Sequence, residues 1–531
     1  MNSETGRYNA SMAASAGEGW SVRRLTPPSR LHGANGVRTG PDGRVYVAQV
    51  PGSQISALDV DSGEIETISP MGGAIVAPDD LAFDDDGNLY VTEITESRVS
   101  MLSPKGQSHV LMGGMPVANP ITFHQGRLLA GECRMGGRIM ELDREGGAPR
   151  VILDDLPMVN AFEVGPDGKL YFPLMHANEI WRVDLDGGAP EVVARDLGVP
   201  DSVKFDAQGR IVTTQVGSGQ VLRIDPRTGD KTVLADIAPG LDNCTFVGER
   251  LFVSHISGAI HEILEPGRTR PLVDRGLQWP LGLAVDETGA LFIADGVFTY
   301  DLRPGDALGL AGTLFTPGFP GYTRGVFAEA PGQYVVTTAN GNVARYWPAR
   351  QESDTLGTSF DRLMGVAVAP GGAVIAAEYG TGRILSLESG GVSVLATGLD
   401  RPMGVAVASD GVIYVAESGA GRVAKLAGGR VDTVCEGVGR PEGIALHAGL
   451  LHVVNVDAKE LIAIDLVTGA RSTIAAHLPV GAPHGIVPKP LGAIGDMAGP
   501  MIPFAGIAIG SDGTIFLSGD AEGSVLALHA E

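Results

Sequence analysis

Cysteine is nearly absent: Cys133, Cys244 and Cys435 are the three in 531 residues. Widely scattered and without C-x-x-C spacing, they exclude a disulfide framework and point to a reducing cytoplasm. Positive charge is also in short supply. The 39 Lys and Arg against 62 Asp and Glu leave a formal charge of −23, which repels nucleic acid and anionic membrane surfaces. Aromatic residues make up 5%, too few for a strong docking platform. No apolar run approaches the roughly 18 residues that a membrane-spanning helix needs, and helical periodicity is missing. Residues 1–19 are small and polar with no apolar signal core, so they are expected to form a disordered lead-in. A small-molecule substrate is the partner class left, with a homodimer open.

What the chain has in quantity is turn residues, Gly 76 and Pro 34, and one sentence written repeatedly. From Val159 to His176 it reads V-N-A-F-E-V-G-P-D-G-K-L-Y-F-P-L-M-H. A polar residue opens a strand, P-D-G turns it, and a second strand returns, which is a β-hairpin. The hairpin recurs mostly every 39–44 residues, a period that fits four short strands per propeller blade. The expectation is an all-β chain of two tandem six-bladed β-propellers, over residues 20–275 and 276–531. The strand Trp20–Leu25 has no blade of its own and the last blade lacks an outer strand, so either closure of the second propeller or a clasp between the two is open.

In the first half every copy opens on Asn or Asp: Asn35, Asp79, Asn119, Asn160, Asp201 and Asp242, with Asn243 beside the last. The first strand of each blade lines the channel of a propeller, so one repeat position becomes one ring. Asn and Asp also cap turns at strand starts, and one blade alone would be read that way. Six of six favours a shared ligand: crowded carboxylates and amide oxygens suit a hard divalent cation, Ca²⁺ first, with Mg²⁺, Mn²⁺ or Zn²⁺ as alternatives. The second half places Leu281, Arg324, Met364, Met403, Glu442 and Ala505 at that position, an apolar plug more than a ligand set.

The ends of the second strands fall beside the ring. That puts Gln49, Glu93, Glu132, His176, Gln215 and His255 near it, and makes His176 and His255 the candidate general bases, with His32 a third. Glu93 and Asp201 complete the candidate catalytic set. Glu93 and Glu132 also belong to a recurrent Glu…Arg pattern (Glu93…Arg98, Glu132…Arg138, Glu378…Arg383, Glu417…Arg422) that reads as a cross-strand structural pair. Two stretches break the period, 296–322 and 477–504. Each is expected to be a long loop serving as a lid or a brace.

Asn119, Asn160 and Val199-Pro200-Asp201-Ser202, on three successive blades, resemble the senescence-marker-protein/gluconolactonase family of six-bladed propellers. The resemblance implies a divalent metal held by these residues. It departs at blade one, where Asn35-Gly36-Val37 stands in place of the family's Glu. Leu241-Asp242-Asn243 resembles the Asp-Asn pair of paraoxonase-type propellers, which implies calcium, and the second half resembles NHL or lyase-type repeats. The implied activity is metal-dependent hydrolysis of a lactone or related ester. Alternatives are a lyase or cyclase of the virginiamycin-B-lyase type, a non-enzymatic binding platform, and a metal-free strictosidine-synthase-like condensing enzyme resting on Glu442.

Overall fold

The computed structural model describes residues 6–8 and 12–531. The described chain is all-β: short antiparallel strands in eleven four-stranded sheets and one five-stranded sheet, with one 3₁₀ turn at Pro348–Arg350. Turn chemistry accounts for the hairpins. Gly43, Gly87, Gly168 and Gly209 close the first-to-second-strand turns with φ between 73° and 81°, a region that only glycine enters without steric cost.

The chain divides into two compact units, an N-terminal one of residues 31–275 and 486–495, and a C-terminal one of 1–30, 276–485 and 496–531. Two placements differ from the boundaries read off the sequence. Residues 20–30 belong with the second half, because Trp20–Arg24 pairs with Ser524–Ala530 and supplies the outer strand of the last sheet. The expected disordered lead-in is ordered where it is described: Ser15–Ala16 pairs with Ala475 and Ala476, and Arg7 donates to the Asp520 and Leu277 carbonyls. Residues 1–5 and 9–11 lie outside the described residues.

Each unit contains six sheets. In the N-terminal unit the first strands touch in succession: Val37–Thr39 packs on Pro78–Phe83, that strand on Ala118–His124, and that on Glu163–Val164. Val203 N then donates to the Ala161 carbonyl, and Leu241–Val247 returns to Val37–Thr39. The hydrophobic cores lie between neighbouring sheets, as where Leu129 and Ile139 meet Phe162, Leu170 and Phe172.

The C-terminal unit closes more tightly. The residue after each ring position is glycine, at 282, 325, 365, 404, 443 and 506. A Cβ on any of them would sit 2.3–2.8 Å from the carbonyl of the next strand's ring residue, so only glycine allows the approach. These glycines surround a cavity of about 40 Å³, enough for little more than a water. Arg324 is fully buried there, donating to the Leu363 and Pro500 carbonyls. Stretch 296–322 is not the expected long loop. It supplies strands Phe298–Leu302 and Gly309–Thr313, with Phe298, Tyr300 and Tyr322 buried.

Glu442, at the same level, accepts from Ala505 N at 2.7 Å. Burial, then the charge of Asp520, pushes its carboxyl up to about 8. The folded state therefore holds a proton that the unfolded chain releases near its ordinary value of 4.5. Stability from this group is complete below that value and is lost as pH rises through about 8. Glu442→Gln is expected to melt above the parent at pH 9 and with it at pH 4.5, a comparison that thermal unfolding across pH reads directly.

Candidate functional site

Five of the six ring residues, Asn35, Asp79, Asn160, Asp201 and Asp242, interact within the N-terminal unit, and Asn119 is buried on its own first strand. Asn160 Nδ2 donates to Asp201 Oδ2 at 2.9 Å, and Asn35 Nδ2 to Asp242 Oδ2 at 3.3 Å. Asn35, Asp79, Asn119, Asn160 and Asp201 are each at most 8% exposed. Burial first, then one another's charge, pushes Asp79, Asp201 and Asp242 well above the usual carboxylate range. No lysine or arginine enters that balance. The donor chemistry, oxygen only, fits a hard divalent cation such as Ca²⁺. Asp201 and Asp242 stand on successive sheets while Asp79 lies between Asn35 and Asn119, and among the described residues no three His, Cys, Asp or Glu side chains converge at metal-holding distance. A cation here would therefore draw on the carboxylate–amide pairs Asn160/Asp201 and Asn35/Asp242.

Asn243 does not join them. Its Nδ2 donates to Asp80 Oδ1 at 3.3 Å and its Oδ1 accepts from Cys244 N, so the side chain is committed to the layer beneath the ring. That layer was missed in the sequence. Three residues after the ring position stand Arg38, Thr122, Glu163 and Lys204 on four of the first strands. Glu163 Oε2 receives Arg38 at 2.7 Å and Lys204 at 3.1 Å, while its Oε1 receives Thr122 at 2.9 Å. Arg38 also caps the Leu81 and Ile121 carbonyls. Burial would raise Glu163, but Lys204 and Arg38 hold it down at about 2. The ring thus sits on a layer of bonded ionic groups, of which the Arg38 and Glu163 side chains are 15% and 21% exposed. The available signal was an opposite-charge set at one repeat offset.

The second-strand ends turn out to be staples. Gln49, Glu93 and Gln215 accept the backbone N–H of His32, Val76 and Gly198 at 2.6–2.8 Å. Asp295, Glu378 and Glu417 do the same for Gln278, Asp361 and Asp400. All six pairs are 17 residues apart. Glu93 is fully buried, held besides by Arg98 and Ser100, which removes it from the catalytic set.

Where the loop residue is proline the N–H is missing and the staple changes. Opposite Pro116, Glu132 binds Arg134 and Arg138 instead. Opposite Pro157 the position is Leu174. Opposite Pro239 it is His255, whose Nε2 lies 2.9 Å from the proline carbonyl while Nδ1 accepts from Ser257 N. These partners fix the neutral tautomer, and burial, with Arg275 near, lowers His255 to about 3. It is a structural substitute for a staple, not a general base. His176 fails for a different reason: the strand ends at Leu174, leaving His176 exposed. His32 is buried, its backbone N–H held by Gln49 and its ring packed where a Gly52 Cβ would be.

A glutamine offers the same donor and acceptor. His255→Gln is expected to keep folding, with turnover within about twofold. The histidine must gain a proton as pH falls from its ordinary 6.5 towards about 3, so stability present above 6.5 is lost on acidification. The parent should lose melting temperature faster than the variant over that range. A large loss of turnover at neutral pH in a well-folded variant would restore His255 as a base.

Set against known proteins, one stretch of this site is similar to a known family. Residues 122–257 match the SMP-30/Gluconolactonase/LRE-like region. That region holds Asn160, Asp201 and Asp242 and begins just after Asn119, leaving Asn35 and Asp79 outside. Among solved structures the chain is similar to a streptogramin B lyase structure, 18% identical, over 52% of this chain and 94% of that one, with a TM-score of 0.38. It is also similar to selenomethionine-substituted virginiamycin B lyase from Staphylococcus aureus, 17% identical over 55% and 98%, with a TM-score of 0.39. No curated protein matches significantly.

Proposed function

We propose that the protein is a metal-dependent hydrolase that opens a lactone or related ester at the ring of the N-terminal unit, each unit being a six-bladed propeller. The circular succession of first strands and the glycine closure of the C-terminal unit support the propeller reading. The observation that carries the function is the set Asp79, Asp201 and Asp242, the first two buried and the third half-buried, whose charges no protein cation offsets, within a chain that carries a lactonase-type region. A divalent cation bound by Asp201, Asn160, Asp242 and Asn35 would supply Lewis-acid polarisation of the substrate carbonyl.

The chain's own contribution is orientation. The staples fix the loops behind the ring, and the ionic floor lies beneath it. Asp79 accepts no hydrogen bond from another described side chain, so its carboxyl is the one left to take up a proton from the attacking water. The C-terminal unit offers no equivalent ring and is assigned a structural or substrate-covering role.

The test is turnover of a panel of lactones and aryl esters by the full chain, before and after chelation. Products heavier by one water, formed only with metal present, are expected. Products of unchanged mass would move the assignment to a lyase or cyclase.

A further inference from the structure

The ring is polar, but the residues standing over it are not. One residue beyond each staple position lie Val50, Ile94, Cys133, Met175, Val216 and Ile256, none more than 8% exposed. All six lie just past the ends of their second strands, so contacts, not strand alternation, place them. Val50 N donates to Asn35 Oδ1 at 3.3 Å, Asn160 Nδ2 lies 3.2 Å from Met175 Sδ, and Cys133 Sγ lies 3.8 Å from Met175 Sδ.

The loop residues whose carbonyls receive the N–H groups of Ile94, Cys133, Met175 and Val216 are apolar too: Ala77, Val117, Met158 and Val199. All four have φ between 45° and 61°, a left-handed conformation costly for a side chain and worst for a β-branched one. Gly33 and Gly240 occupy the same place in the other two sheets, so the repeat accepts glycine, and the apolar side chains are held there against local strain.

One side of this vestibule is finished by a distant part of the chain. Segment 486–495, I-V-P-K-P-L-G-A-I-G, groups with the N-terminal unit. Lys489 Nζ donates to the Ala74 carbonyl at 3.4 Å. Its backbone passes so close to the rim that a Cβ on Gly72 would meet Val487 O at 3.0 Å, and one on Gly492 would meet Thr95 O at 2.9 Å. At its far end a Cβ on Gly495 would lie 3.1 Å from Val117, whose carbonyl binds Cys133 N. Leu491 is its buried anchor at 7% exposure.

We propose that segment 486–495 is a wall of the substrate site, and that it and the six apolar residues over the ring select carbonyl substrates by an apolar group beside the scissile bond. This rests on the ring being the reacting centre.

Two full-length variants test it, Leu491→Gly and replacement of 486–495 by ten Gly and Ser residues, each checked for folding by circular dichroism. The first readout needs no activity: the rate at which N-ethylmaleimide modifies Cys133, resolved by peptide mass from Cys244 and Cys435. A rise of at least tenfold at Cys133 alone is expected. The second is kcat/KM over lactones of increasing alkyl length, where the parent should gain roughly fourfold per methylene and both variants should lose most of that slope. An unchanged Cys133 rate in both variants, or a slope that survives them, overturns the proposal. A Cys133 rate that rises while the parent turns over no lactone or ester leaves the wall standing and fails the hydrolase reading.

Discussion

Asp201→Ala combined with Asn160→Ala is expected to strip the protein of its metal and, with it, turnover by on the order of a thousandfold. The parent should carry about one divalent ion per chain by metal analysis, because a ring of this size accommodates one six- to eight-oxygen shell. The two residues form one unit, with Asn160 Nδ2 on Asp201 Oδ2 at 2.9 Å, so the double variant removes the ligand pair together; Ala161 N, which donates to Asn160 Oδ1, loses that acceptor. Stability reports the same site independently. A ligand binding only the folded state stabilises it by about 2.7 kcal/mol at one hundred times its dissociation constant. Added Ca²⁺ should therefore raise the melting temperature of the parent by several degrees and leave the variant unmoved. Parent protein free of metal, with no thermal response to Ca²⁺, Mg²⁺, Mn²⁺ or Zn²⁺, would end the metallohydrolase reading.

The ring was legible because hairpin turns fix register. A glycine at a required positive φ, such as Gly168, marks a turn unambiguously, and counting back from it reaches Asn160 without error. The candidate bases were not legible, because their placement depends on where the second strand stops. His176 lies two residues beyond the last paired residue, Leu174. His255 does reach the strand end, but what it does there is decided sixteen residues earlier, by whether position 239 has an N–H to offer. Proline at 116, 157 and 239 was the signal. It acts through the absence of a donor, which residue types at the strand end do not reveal. The wall at 486–495 was beyond reach for a plainer reason: no periodicity relates it to the sheets it lies on.

The largest effect on folding should come from the floor beneath the ring. Glu163→Gln removes the carboxylate bonded by both Arg38 and Lys204; the Glu163, Arg38 and Lys204 side chains are 21%, 15% and 7% exposed. Asp80 lies near both cations, yet burial raises it, and its oxygens already serve Leu81 N, Ile121 N and Asn243. It cannot replace Glu163. Breaking a buried ion pair from one side costs about 3–5 kcal/mol, since the remaining charge stays desolvated. For a unit of this size that corresponds to a fall of about 10 °C in its melting transition. The variant Arg38→Met with Glu163→Leu and Lys204→Met tests whether the cost is the orphaned charge or the loss of attraction. With all three charges gone the transition should recover most of the loss, because desolvation and attraction within such a cluster nearly cancel. Acid should mimic the single variant. Glu163 is held down at about 2, so the stability it carries is present above its ordinary 4.5 and is lost only as pH falls towards 2. The single variant should therefore converge with the parent there. If Glu163→Gln melts with the parent at neutral pH, the floor is solvated and the channel runs on below the ring, which would reopen the lower face as a route for substrate.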